Sequence, residues 1–143
     1  MAEITIEVQA ETNCLPEKKH PDDAAFDLKC RDKFTIRPNQ ILNVRTGVRV
    51  SIPSGYAGEI FSRSGLAASG ITVANGVGLI DAGYTGEIIV ILHNSRSPRT
   101  FEAGDRIAQI LFREVPQVNL QIVSELSTAT LRGENGLGST GIN

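Results

Sequence analysis

A glycine-rich segment in the middle of the chain carries the residue types best suited to chemistry. It reads NGVGLIDAGYTGEI, from Asn75 to Ile88, and predicts a short strand, a turn at Asp81–Gly83 and a return strand. Turn formation alone explains the aspartate and the glycine. It does not explain Asn75 and Tyr84. An amide together with free backbone groups can read a base edge, and an aromatic ring can pack on a sugar. The glycines let the backbone approach such a ligand closely.

A second segment, SRSGLA from Ser62 to Ala67, has the composition of a phosphate-binding turn. Arg63 can fork onto phosphate oxygens, and the N–H groups at the start of a short helix favour an anion. An ordinary serine-capped turn explains the same residues, so both interpretations stay open on composition alone.

Charged residues within two strand-like segments are expected to pair. Arg106 and Gln109 lie in the otherwise apolar segment GDRIAQILF, where an inward-pointing arginine should meet a carboxylate. A structural ion pair explains that arginine without any ligand. Asp27, in DDAAFDLKC, is either part of a site or a surface carboxylate.

Strands must position these segments, because apolar and polar residues alternate along most of the chain. The predicted strands are EITIEV, ILNVRTGVRVSI, GEIIVILHN, RIAQILFREV and NLQIVS, and the turn signals RPNQ, IPSGYAG, SRSP and EAGD lie between them. Only SGLAAS, at Ser64–Ser69, can form a turn or two of helix. We therefore predict one all-β domain, built as a sandwich, jelly roll or barrel of short strands.

Composition limits the class of protein. The chain has 143 residues, 41% of them hydrophobic, and a formal net charge of −2, which argues against a nucleic-acid binder. Cys14 and Cys30 lack zinc-site spacing. The start MAEITIEVQ lacks a signal-peptide core, and IIVIL at Ile88–Leu92 is too short to span a bilayer. We expect a soluble cytoplasmic protein with reduced thiols and with neither membrane nor nucleic-acid partners.

The last segment, RGENGLGSTGIN at residues 132–143, cannot contribute to a core. Its composition alone favours a frayed tail.

Five segments, taken in order, resemble the five motifs of the trimeric deoxyuridine triphosphate nucleotidohydrolases, the dUTPases. They read AAFDL, RSGLA, NGVGLIDAGYTGEI, GDRIAQ and RGENGLGSTG, and they extend from about Asp22 to the C terminus. The resemblance implies a jelly-roll-like fold or distorted barrel over residues 1–131. It also implies that residues 132–143 are a flexible arm that covers a nucleotide.

The resemblance implies hydrolysis of dUTP to dUMP and pyrophosphate, with Mg²⁺ on the triphosphate. This reaction limits uracil in DNA and supplies dUMP for thymidylate synthesis. Asp81 is implied as the general base for in-line attack of water on the α-phosphorus, and Asp27 as a partner of Mg²⁺ through water. Arg106 is implied as a structural partner of a site carboxylate. The implied substrate-binding residues are Asn75, Leu79, Ile80, Tyr84 and Ile89 at the nucleoside, Arg63, Ser64, Gly65 and Gln109 at the phosphates, and Arg132, Leu137, Gly138, Ser139 and Thr140 in the arm.

Two positions depart from the family pattern. Leu137 stands where an aromatic residue usually stacks on the uracil, which removes a stacking contribution of about 0.5–1.5 kcal/mol. Phe26 replaces a common tyrosine, which is a mild change.

The resemblance also implies a homotrimer whose sites are shared. Each site takes its uracil segment from one chain, its phosphate-binding residues from a second and the arm from the third. Two alternatives stay open. A dCTP deaminase would need a catalytic glutamate, for which Glu87 is the candidate, and a non-catalytic partner of a regulatory protein would need no chemistry. The location implied is the cytoplasm, or the nucleus or host cytosol for a eukaryotic or viral source.

Overall fold

The protein, described here from a computed structural model that covers residues 3–138, consists almost entirely of β-strands. Eleven strands and one short helix follow one another in this part of the chain. Their bounds are β1 Glu7–Ala10, β2 Phe26–Lys29, β3 Phe34–Ile36, β4 Ile41–Arg45, β5 Val48–Ser51, β6 Tyr56–Phe61, α1 Ser64–Ala68, β7 Ile71–Val73, β8 Gly78–Ile80, β9 Ile89–Asn94, β10 Arg99–Phe101 and β11 Arg106–Glu114.

The strands form four open antiparallel sheets. The largest has the order β2-β11-β6-β8, the next has the order β4-β9-β7, and the pairs β1-β5 and β10-β3 complete the described part of the chain. The all-β, jelly-roll-like prediction is confirmed. The sheets do not join into a closed barrel within residues 3–138.

A single apolar core holds the sheets together. Alternate residues of β9 point inward, so that Val90 and Leu92 are each 1% exposed. They belong to the same buried cluster as Leu28, Ile60 and Ile110 of the four-stranded sheet. The alternation of apolar and polar residues in the sequence therefore arises because one face of each sheet packs against this core.

Several predicted elements are confirmed, and two differ from the structure. The segment ILNVRTGVRVSI forms β4 and β5, which separate at Thr46 and Gly47, and the short helix forms as α1. The segment NLQIVS, however, forms no strand in this chain. Its Leu120 and Ile122 are 89% and 99% exposed. A strand requires a hydrogen-bonding partner, and residues 3–138 of this chain provide none for that segment.

The segment around Asp81 also differs from its prediction. Strands form on both sides of the turn, but β8 pairs with β6 and β9 pairs with β4 and β7, so the segment is not a β-hairpin. Residues 81–88, the β8–β9 loop, instead cross from one sheet to the other. Two hydrogen bonds fix the end of this loop: Ile88 N donates to Val48 O at 2.8 Å, and Thr46 Oγ1 donates to Ile88 O at 2.6 Å.

Both cysteines are free and buried, as the expectation of reduced thiols requires. Burial raises the pKa of the Cys14 thiol and of the Cys30 thiol, because the thiolate loses hydration in apolar surroundings. Among residues 3–138 no helix is long and apolar enough to cross a membrane.

Asn94 is the polar centre of the turn after β9 and gives a test of the fold. Its side chain is 0% exposed. Its amide donates to Ile36 O at 3.0 Å and to Ser97 O at 2.7 Å, and its oxygen accepts from Arg96 N at 3.0 Å.

Asn94→Leu keeps the branched shape but removes the partner of three backbone groups, of which Ile36 O is buried and Ser97 O and Arg96 N are part-buried. We expect it to lower the free energy of unfolding by about 3 kcal/mol or more, measured in urea at fixed protein concentration. Asn43→Leu, on the exposed face of β4, is the control and should change stability by less than about 0.5 kcal/mol. A loss for Asn94→Leu no larger than that of the control would contradict this role.

Candidate active site

A small open cavity lies where β8 and β9 separate. Its volume is about 240 Å³, and its walls are the side chains and backbone of Leu79, Ile80, Asp81, Tyr84, Glu87 and Ile89. Five of these six residues are predicted site residues, and the structure brings them together in one place. We call this cavity the β8–β9 slot.

The slot is open because β8 and β9 belong to different sheets. Among residues 3–138, β8 is the edge strand of its sheet and pairs with β6 alone. Ile89 pairs with Arg45 on one side, whereas β7 reaches only Leu92, His93 and Asn94 on the other. Backbone donors and acceptors of β8 and of the start of β9 therefore face the slot, where they can read a hydrogen-bonding ligand.

Asp81 lies at the rim of the slot in a tight turn. Tyr84 N donates to Asp81 O at 3.2 Å, and Gly83 has a φ of 88°. This positive φ at the third turn position suits glycine. The Asp81 side chain is exposed and so can contact solvent water. Asn75 lies exposed in the turn before β8 and is not part of the slot wall.

The Tyr84 ring folds back over its own loop. Its hydroxyl donates to Glu87 O at 2.9 Å, and the residue is 45% exposed. One face of the ring thus lies against the loop while the rest borders the slot. This position suits a wall that a sugar could contact.

A second group of predicted residues surrounds Asp27. Arg63 Nε lies 3.4 Å from Asp27 Oδ1, and Arg106 Nη1 lies 3.5 Å from Asp27 Oδ2. The expected pairing of Arg106 with a carboxylate is confirmed, although its side chain is 44% exposed and does not point inward. Two guanidinium groups on one carboxylate leave a local excess of one positive charge. We call these three side chains the Asp27 cluster.

Polar contacts at the ends of neighbouring strands hold the Asp27 cluster in place. Gln109 pairs with Asp27 on one side and with Phe61 on the other. Its side-chain amide donates to Ser62 O at 2.9 Å, and Ser62 Oγ accepts from Val73 N at 2.8 Å. These contacts fix the end of β6. The next residues, Ser64 and Gly65, are exposed at the start of α1.

The β8–β9 slot and the Asp27 cluster lie at opposite ends of β6. Because Ile80 pairs with Gly58, Asp81 comes opposite Ala57 at the start of β6. Arg63 lies beyond the other end. Ala57 and Arg63 are six residues apart in the sequence, which at about 3.3 Å per residue is roughly 20 Å. At that separation, Asp81 and Arg63 of one chain are too far apart to hold neighbouring atoms of one ligand.

Residues 132–138 of the predicted arm are exposed throughout. Arg132 Nε donates to Asn135 O at 2.9 Å within a local turn. Leu137 is 107% exposed and so touches little of its own chain. The predicted residues Ser139 and Thr140 lie outside the described residues.

Glu87 is a slot residue that the motif comparison did not assign to binding. Its carboxylate accepts from Arg45 Nε at 3.1 and 3.2 Å, from Arg45 Nη2 at 2.8 Å and from Gly47 N at 3.0 Å. The hydrogen bonds from Arg45 hold the pKa of Glu87 below its usual range. In the sequence, the only signal for Glu87 is its position in the TGE triplet after Tyr84. No local pattern identifies Arg45 as its partner.

The fold and the slot define a class of protein: a jelly-roll-like β domain that can bind a small ligand where two consecutive strands separate. Comparison with known proteins then identifies the family. The chain matches the dUTPase family over residues 11–141. It is 41% identical to the deoxyuridine 5'-triphosphate nucleotidohydrolase of Cutibacterium acnes, over 99% of this chain and 95% of that one.

Further relatives agree. The protein of the same name from Thermobifida fusca is 45% identical over 89% of this chain and 72% of its own. The dUTPase of Staphylococcus bacteriophage 80alpha, solved with dUPNHPP, superposes with a TM-score of 0.90 at 28% identity, over 96% of this chain and 99% of that one. The chain therefore belongs to the dUTPase family.

The contacts of Glu87 distinguish a hydrolase from a deaminase. A glutamate that shuttles protons near neutral pH needs a raised pKa and a free carboxyl oxygen. The Glu87 carboxylate is instead held ionised by Arg45. We expect no release of ammonia from dCTP in a coupled ammonia assay. Catalytic ammonia release that disappears in Glu87→Gln would contradict this assignment.

Proposed function

We propose that this protein hydrolyses dUTP to dUMP and pyrophosphate. The observation that carries the proposal is the β8–β9 slot, in which Asp81 stands at the rim of a cavity bounded by Leu79, Ile80, Tyr84 and Ile89. The slot offers backbone groups for a base, a ring for a sugar and a carboxylate for a water molecule. This combination suits a nucleotide hydrolase.

The slot supports binding of the nucleoside. Backbone groups of β8 and Ile89 would read the uracil edge, with Asn75 approaching from the preceding turn. The Tyr84 ring would pack on the deoxyribose and fill the space that a 2′-hydroxyl needs. The slot would then prefer deoxyribose over ribose because the ring excludes a 2′-hydroxyl by contact, and no hydrogen bond to the sugar is needed for this preference.

Asp81 would act as the general base. Its carboxylate takes a proton from water as the water oxygen bonds to the α-phosphorus, and the bond from that phosphorus to the bridging oxygen breaks. Pyrophosphate leaves with the electron pair of that bond. This in-line displacement requires position and charge neutralisation rather than a covalent intermediate. The exposure of Asp81 is consistent with contact to a solvent water.

The start of α1 would hold the phosphates. Arg63 can form two hydrogen bonds to phosphate oxygens, and Ser64 would lie near the α,β bridge, where charge develops. A Cβ atom at Gly65 would meet nothing within 4 Å, so this chain's own packing does not require a glycine there. Close approach of a phosphate or of another chain gives the glycine a reason.

Mg²⁺ would bind on the triphosphate and neutralise part of its charge. Among residues 3–138 no three His, Cys, Asp or Glu side chains cluster to hold a metal ion. This fits a magnesium ion held by phosphate oxygens and water. Asp27 fits contact through water rather than direct ligation, because Arg63 and Arg106 already balance its charge.

Three copies of the chain would complete the sites. A slot in one chain needs phosphate-binding residues within a few ångströms of Asp81, and Arg63 of the same chain lies beyond the far end of β6, roughly 20 Å from the residue opposite Asp81 if the chain between them is extended. Residues from a second chain can close this gap. Arg132, Leu137, Gly138, Ser139 and Thr140 of a third chain would then cover the nucleotide. Closed threefold symmetry makes all three sites equivalent.

Two apolar surfaces support this assembly. Val118, Leu120 and Ile122 alternate along the segment after β11 and are 69%, 89% and 99% exposed. An apolar groove of about 340 Å³ lies between the N-terminal segment and the core. Its lining residues are Ile4, Ile6, Val8, Leu15, Pro16, Phe26, Leu28, Val50, Ile88, Ile110 and Phe112. Exposed apolar surfaces of this kind typically mark protein interfaces.

A reducing compartment such as the cytoplasm suits this chain. Both cysteines are free and buried, and disulfides form mainly outside the cytosol.

The proposed chemistry depends on Asp81. Asp81→Asn keeps the side-chain shape but cannot accept the proton, so we expect the rate of pyrophosphate release from dUTP to fall about 10²–10⁴-fold. Asp32→Asn, an exposed aspartate after β2, is the control and should keep wild-type turnover. The readout is pyrophosphate release in magnesium buffer, with folding checked by circular dichroism. Near-normal turnover of folded Asp81→Asn would contradict the role of Asp81. No hydrolysis of dUTP by the wild type would contradict the function itself.

A further inference from the structure

The Glu87 carboxylate is the most strongly held charged group around the β8–β9 slot. It accepts four hydrogen bonds, three from Arg45 of β4 and one from Gly47 N, and its side chain is 15% exposed. The two arginine nitrogens engage both carboxylate oxygens in the fork geometry that is the strongest form of this contact. Glu87 therefore fastens the β8–β9 loop to the turn between β4 and β5.

The main chain of the same residue holds the Tyr84 ring. The Tyr84 hydroxyl donates to Glu87 O at 2.9 Å. A Cβ atom at Gly86 would lie 2.5 Å from this hydroxyl oxygen, so only glycine leaves room for the ring there. The direction of the ring is thus set by the position of the Glu87 carbonyl.

Neighbouring contacts fasten the same stretch without holding the ring. Arg49 Nη1 donates to Thr85 O at 3.0 Å, and Ile88 N donates to Val48 O at 2.8 Å. Loss of the Glu87 carboxylate therefore leaves the loop attached to β5. What it removes is the anchor nearest to the carbonyl that receives the Tyr84 hydroxyl.

We infer that Glu87 and Arg45 are positioning residues that set sugar specificity, because they hold the Tyr84 ring where it closes the sugar side of the β8–β9 slot. This inference rests on the proposed function. Neither residue touches the reacting atoms. Both act through Tyr84, whereas Asp81 lies on the other side of the turn and keeps its own hydrogen bond to Tyr84 N.

The inference predicts a specific kinetic pattern. In Glu87→Gln and in Arg45→Gln, the ratio of kcat/KM for dUTP to that for UTP should fall about five- to tenfold, the effect of losing one well-formed hydrogen-bonded anchor. The KM for dUTP should rise while kcat stays within about twofold of wild type. The double variant should lose no more than the worse single variant, because the two side chains act as one pair.

Arg113→Gln is the matched control. Arg113 pairs with Glu59 between β11 and β6, and the exposures of that pair, 57% and 18%, are close to the 51% and 15% of Arg45 and Glu87. Arg113→Gln removes an ion pair of similar exposure whose Glu59 lies opposite Leu79 in the β6–β8 register but is not on the loop that carries Tyr84. The dUTP to UTP ratio of this variant should equal that of wild type.

A second readout follows the ring without any turnover. The chain has two tyrosines and no tryptophan, so 3-fluorotyrosine gives two fluorine signals, and Tyr84→Phe assigns them. Glu87→Gln and Arg45→Gln should shift or broaden the Tyr84 signal, and Arg113→Gln should leave it in place.

The outcomes separate the inference from the function on which it rests. Absence of dUTP hydrolysis in the wild type overturns the proposed function, while the fluorine signals still show whether Glu87 holds the ring. If wild type hydrolyses dUTP and both variants keep its sugar preference and its Tyr84 signal, the inference is wrong. An equal loss of preference in Arg113→Gln would also overturn it, because any lost ion pair would then have the same effect.

Discussion

The pairing of β8 with β6 is the constraint on which the rest of the site depends. Since β8 joins the four-stranded sheet and β9 joins the three-stranded sheet, the two strands separate and the slot opens between them. The same pairing places Asp81 at one end of β6, while Arg63 follows the other end. One register thus creates the slot and separates it from Arg63 of the same chain, the residue proposed to hold phosphates.

This separation gives a physical reason for assembly. In the proposed trimer, a chain that does not complete its own site gains function in a closed ring, where a neighbour supplies the missing charges. Two exposed apolar surfaces also favour assembly, because contact with another chain would remove them from water. They are the row at Val118, Leu120 and Ile122 and the groove near the N terminus. In the proposed trimer, the site and the interface between chains therefore depend on one another.

The sequence predicted much of this arrangement because local signals were strong. Apolar runs identified the buried strands β9 and β11, and the resemblance of one segment to a family motif grouped Leu79, Ile80, Asp81, Tyr84 and Ile89, which the structure places in one slot. It could not predict that β8 leaves β9, because the turn residues around Asp81 suit a hairpin equally well. The sequence also could not predict which distant residues pair with one another. Arg45 and Glu87 lie in different predicted strands, and no local pattern couples them. The NLQIVS segment has a strand pattern, but the pattern cannot say which chain provides the partner.

Mixing two inactive variants tests whether the slot of one chain works with the Asp27 cluster of another. Asp81→Asn and Arg63→Gln, each nearly inactive alone, are unfolded together in equal amounts and refolded, and pyrophosphate release from dUTP is measured. A shared site is intact when it receives Asp81 from one chain and Arg63 from its neighbour, which random assembly gives at about one site in four. We expect the mixture to recover about a quarter of wild-type activity. Activity no higher than the mean of the two separate variants, in a sample whose mixed trimers are shown by native mass spectrometry, would contradict it.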